Sequence, residues 1–199
     1  LSSFFEEGAR SGVSDTVEGL TKFADLAATT SFAFKIPAQE AATKLARLKS
    51  SLGLTHDELK DNIAAINILG DNMATNERKL LEFQRRIGPL AKSLSGVSAE
   101  IMKANRLDVL AIGAGMTAAG VQEDVAATGL RNLLVRVATG SRAEKTVVDG
   151  MKALGFDPDK FARELANDFA GGAKKLFETI NKVEDKAKKA ALLRDILGM

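Results

Sequence analysis

Twenty-eight Lys and Arg against 26 Asp and Glu, interspersed over 199 residues, give a formal charge of +2 and no single-sign field to gather nucleic acid or anionic lipid. With 45% apolar and 27% charged residues the chain falls outside the disordered class, and its length lets it bury roughly two-thirds of its unfolded surface. The absence of Cys excludes disulfides and thiolate sites, and the single His, His56, excludes a multi-histidine metal site within one chain.

Along the chain, apolar residues recur at helical spacing. Val17, Leu20, Ala24 and Ala27 predict a first amphipathic helix, and Ala38, Ala41, Leu45, Leu48 and Leu52 a second. Leu59, Ile63, Ile66 and Met73 make a third stripe; Leu80, Phe83, Ile87, Leu90 and Leu94 follow at alternating three and four. Leu130, Leu133, Leu134 and Val137 come next, and Ala173, Leu176, Ile180, Val183 and Ala187 close the series. No segment alternates with the period of a half-buried strand. The fold expected is all-α, an irregular bundle or stack of helical hairpins. Residues 1–199 form a single helical region, with 1–95 and 96–199 as the alternative division.

Between these stripes one corner recurs: a Gly, an apolar residue and a polar residue. It occurs as Gly12-Val13-Ser14, Gly53-Leu54-Thr55, Gly96-Val97-Ser98, Gly120-Val121-Gln122 and Gly155-Phe156-Asp157. The Gly ends one helix in the left-handed conformation, the apolar residue staples the turn, and the polar residue caps the next N-terminus. Thr55 with Glu58 forms a capping box, Pro158 suits a first helical turn, and Gln122 is the weakest cap of the five. The unequal spacing of these glycines excludes a fixed-period solenoid.

One passage imitates chemistry. Asp108 to Ala118, with Gly113 and Gly115, copies a strand running into the G-x-G-x-x-A turn of dinucleotide-binding enzymes. The acidic residue that should follow some twenty positions on is missing, since the second apolar run ends in Arg136, and no further strands build a parallel sheet. Gly113, Gly115 and Ala118 are therefore expected inside a helix, giving it a thin face for close packing. The apolar run Val109 to Val121 is 13 residues long, short of the ~18 to 20 that span a bilayer. His56, in the first turn after Thr55, is expected to be exposed and without a catalytic or metal role. No cofactor is expected.

With its flanks, the same region resembles the core domain of bacteriophage tail tape measure proteins. The resemblance is carried by Ala38 to Leu48, Leu52 to Leu59, Asn62 to Leu69 and Gly96 to Ile101. It is most specific from Leu110 to Leu134, and it resumes at Leu154-Gly-Phe-Asp and the closing Leu192 to Gly198. It implies a non-enzymatic virion protein inside the tail tube that sets tail length and leaves when DNA is delivered. It also implies self-association along the tail axis and contacts with tail tube and tail tip (distal tail or hub) proteins. Sequence-specific nucleic acid binding is not expected, membrane contact is expected only during ejection, and assembly takes place in the host cytoplasm. Because tape measure proteins are usually much longer, this chain reads as a fragment of one. The alternative is a helical interaction or membrane-acting module, such as a secreted effector or pore former, motivated by the Gly- and Ala-rich run around Gly113.

Overall fold

A computed structural model describes residues 2–93 and 105–198 as eleven α-helices, with no strand among the described residues. They are α1 (Ser2–Arg10), α2 (Val17–Ala33), α3 (Ala38–Leu52), α4 (His56–Asn72), α5 (Glu77–Ser93) and α6 (Arg106–Ala118). After them come α7 (Glu123–Asn132), α8 (Lys145–Ala153), α9 (Pro158–Asn167), α10 (Phe169–Asn181) and α11 (Lys186–Leu197). α7 widens at its end into a π-helical turn, Leu133–Val137, and a 3₁₀ turn, Gly140–Arg142, leads on towards α8.

The corners work by closing the orphan carbonyls of one helix onto the two residues that follow it. At Gly155, where φ is +82°, the Gly155 amide donates to the Lys152 carbonyl at 2.9 Å and the Phe156 amide to the Met151 carbonyl at 3.0 Å. Gly12-Val13 and Gly120-Val121 repeat this pair of bonds, and at Gly53-Leu54 both amides return to the Lys49 carbonyl. Thr55 and Glu58 complete their capping box: the Thr55 hydroxyl accepts from the Glu58 amide at 3.2 Å and the Glu58 carboxylate from the Thr55 amide at 2.8 Å. Asp157 caps α9 through the Lys160 amide at 2.8 Å, and Gln122 makes no side-chain cap bond. Ser14 does not cap α2. Thr16 does so, through the Gly19 amide at 3.1 Å, while Ser14 braces the turn by accepting from the Thr16 amide at 3.2 Å. Gly96 and Ser98 lie outside the described residues.

One further corner has the same bonding without a glycine. Lys35 sits at φ +51° between α2 and α3, with its amide on the Phe32 carbonyl and the Ile36 amide on the Ser31 carbonyl at 3.1 Å. Ile36 is buried, the Ser31 hydroxyl donates to the Ile36 carbonyl at 2.8 Å, and Pro37 then opens α3.

The corners stack the helices around α5. On α5, Leu80, Leu81, Phe83, Gln84 and Ile87 are all buried, so this helix is covered on more than one side. It packs against α3, α4, α6 and α7. α1, α2 and α3 pack on one another at the N-terminal end, and α8, α10 and α11 gather at the other, joined to the middle through α6 and the π-helical turn. A single buried apolar cluster runs from Phe4 to Leu197.

Candidate interaction surface

Polar groups inside this body serve packing. Asn62 on α4 and Gln84 on α5, both fully buried, exchange two amide hydrogen bonds of 2.6 and 3.0 Å. Each side chain satisfies the other, which removes the cost of ~1–3 kcal/mol that an unpaired buried polar group carries. Glu7 is buried at the α1–α3 contact, where its carboxylate accepts from Gln39 at 3.0 Å, from Ser11 at 3.1 Å and from Arg10. Burial pushes its pKa up, but the hydrogen bonds from Arg10, Ser11 and Thr43 and the Arg10 charge outweigh it and hold it below the ordinary glutamate value. His56 is half-buried rather than exposed, because the first turn of α4 packs back towards Lys22 and Lys49. Burial, opposed by Asp57 and aided by Lys22, Lys49 and Lys60, lowers its pKa.

Gly113, Gly115 and Ala118 all lie within α6, so the passage that imitates a phosphate-binding turn is helix interior. Only Gly113 makes a close approach: a Cβ built there would fall 2.4 Å from the Phe83 ring of α5. At Gly115 a Cβ would meet nothing within 4 Å among the described residues. The two glycines lie two residues, about 200°, apart on the helix and so face opposite ways. Ala118 is half-buried in the last turn. Among the described residues no group of His, Cys, Asp and Glu is placed to hold a metal ion, and no helix is long and apolar enough to cross a membrane.

What the surface does offer is an apolar groove of ≈ 380 Å³ between α2 and α4. Its walls include Leu26 and Ala33 from α2 and Ala64 and Ile68 from α4, over a floor containing the buried Phe34 and Ile63. Ile68, in the groove wall, is 60% exposed, and Phe32 elsewhere on α2 is 89% exposed. Neither helix stripe read from the sequence includes Phe32 or Ile68, since each falls off the buried face. Their signal is that they are large apolar residues where the period calls for polar ones.

The described residues thus form an all-helical body with an apolar groove on its surface and its buried Asn62 and Gln84 paired with each other. The phage-related minor tail protein family matches residues 1–198. A curated relative described as a probable tape measure protein, from Halomonas phage phiHAP-1, is 30% identical over 148 residues, covering 74% of this chain and 16% of that protein. No solved structure matches the chain. The chain belongs to the phage-related minor tail protein family.

Proposed function

We propose that these residues form a folded assembly or docking segment of a tape measure protein, carried within the phage tail. The observation that carries this reading is the match of 30% identity to a probable tape measure protein in a chain whose helices are repeatedly reversed at Gly and Lys corners. In this reading the parent lies inside the tail tube, sets tail length and leaves when DNA passes. Copies associate along the tail axis and meet tail tube and tail tip proteins, and the segment performs no catalysis. The alternative, a membrane-acting helical module, has less support, since Gly113 is packed against Phe83 rather than turned outward. The residues act as one unit rather than as 1–95 and 96–199, a reading supported by the core that α5 shares with α6 and α7.

As one unbroken helix the 199 residues would extend ~300 Å at 1.5 Å per residue. Corners shorten that many-fold, so uninterrupted helices elsewhere in the parent do most of the measuring. In-frame deletion of the segment tests this by electron microscopy of the resulting particles. Absent tails or tails of irregular length are expected. Normal, infective tails shortened uniformly by ~300 Å would identify a plain ruler and overturn the proposal.

A further inference from the structure

α11 is anchored to the body at one end only. Lys186, Ala187, Lys188 and Ala190, in its first half, are exposed, whereas Leu192, Ile196 and Leu197, in its second, are buried. The first turn holds Lys186 and Lys188 with no acidic residue, a placement that the positive end of the helix dipole opposes. The anchored end sits in a socket. Gly150 on α8 leaves a notch for Ile196: a Cβ there would fall 2.9 Å from the Ile196 side chain. Val147 and Met151, on the same face of α8 as Gly150, are buried. Asn132, at the end of α7, donates to the Leu197 carbonyl at 2.6 Å. Arg136, in the π-helical turn, donates to the Arg194 carbonyl at 3.4 Å and pairs with Glu144 at 2.9 Å. Both side chains thus bond the last turn of α11, where carbonyls run out of helical donors. Gly198, at φ +69°, ends the helix beside them: a Cβ there would lie 2.8 Å from Arg136 Nη1 and 3.2 Å from Asn132 Nδ2.

We infer that α11 is a strap that opens as a unit while the helices around α5 stay folded, with Asn132, Arg136 and Gly150 as its catch. Opening breaks the bonds from Asn132 and Arg136 to the α11 carbonyls and withdraws Leu192, Ile196 and Leu197 from the core. It bares the face of α8 that carries Val147, Gly150 and Met151, and it frees residues 182–198 to reach about 60 Å when extended. α5 has no such freedom, because Leu80, Leu81, Phe83 and Ile87 bury it on more than one side. Local stability follows buried apolar contact, so an element held by a few side chains at one end opens at a lower free energy than one enclosed by its neighbours. The body then lengthens at its α11 end without losing its middle.

Native-state hydrogen exchange of the 199-residue chain, read by mass spectrometry, tests this. Amides of residues 190–197 are expected to be protected as a group, about tenfold or more less than those of α5. N132A, which removes the bond to Leu197, and G150A, whose methyl displaces Ile196, should each speed exchange in α11 about tenfold. N62L strands Gln84 in the core and should speed α5 about tenfold or more. It should leave α11 unchanged, because the strap opens without unfolding the core. Equal protection of α11 and α5 in the wild type, or an α11 rate that rises with N62L in step with α5, would mean that α11 opens only with the whole fold. Either result, or an α11 rate indifferent to both N132A and G150A, would overturn the strap and leave the tail assignment standing.

Discussion

Gly113 and Gly115 share a helix and meet different surroundings, so the same substitution should have opposite effects at the two. Alanine gains ~1 kcal/mol of helix propensity over glycine. At Gly115 nothing within 4 Å opposes that gain among the described residues, and G115A is expected to raise the unfolding free energy by ~1 kcal/mol. At Gly113 the new methyl would fall 2.4 Å from the Phe83 ring, itself fully buried and unable to move aside. Overpacking of ~1–3 kcal/mol then outweighs propensity, and urea denaturation of G113A should show a net loss. The sequence shows that Gly113 makes a thin face but not which residue fills it, because the partner lies thirty positions away on α5. The Asn62–Gln84 pair was not legible for the same reason: two amides on separate helices carry no local signature. N62L and Q84L should each cost ~1–3 kcal/mol by stranding the other amide, and the double variant should recover part of the loss. Simple additivity in that cycle would mean the pair is not coupled.

Among the elements, the corners set the length and direction of each helix. Gly corners are readable because positive φ is cheap only for glycine. The Lys35 corner has the same bonds and the same buried apolar follower, Ile36, but a lysine side chain hides it. Left-handed backbone costs a side-chain-bearing residue ~1–2 kcal/mol. K35G is accordingly expected to stabilise the chain by ~1 kcal/mol, read as a higher urea midpoint at unchanged slope. A loss of stability would mean that the lysine side chain contributes more than its backbone strain costs. The π-helical turn at Leu133–Val137 was equally hidden: the apolar stripe Leu130, Leu133, Leu134 and Val137 fits an ordinary helix, and only packing distinguishes the wider turn. The helix stripes themselves were legible, since burial follows the 3.6-residue period at Leu45, Leu48 and Leu52 and again at Leu80, Phe83 and Ile87.

For the molecule as a whole, the titrating groups that shift downwards make the fold weaker in acid. The folded state holds His56 below its ordinary value of 6.5, chiefly through burial. The unfolded chain therefore takes the proton first, so the His56 contribution is complete above that value and is lost as pH falls through the lower folded one. Glu7, where burial is outweighed by Arg10 and its neighbours, Glu40, bonded to Lys44, and Glu82, bonded to Arg85, are held below 4.5 and have the same sign at lower pH. Urea midpoints should be level above pH ~7, step down as His56 titrates, and fall again below pH ~4.5. H56Q should remove the first step and keep the second; a first step that survives in H56Q would assign it to another group.

Repeated reversal is the central claim, because a tape segment that folds back cannot measure by its own contour. Small-angle X-ray scattering of the dilute 199-residue chain tests this most directly. A folded body of this length has a radius of gyration of ~16 Å, an unfolded chain ~48 Å, and a single continuous helix ~300 Å long scatters as a thin rod. The account predicts a value near ~16 Å. Rod-like scattering, or a coil near ~48 Å, would contradict it.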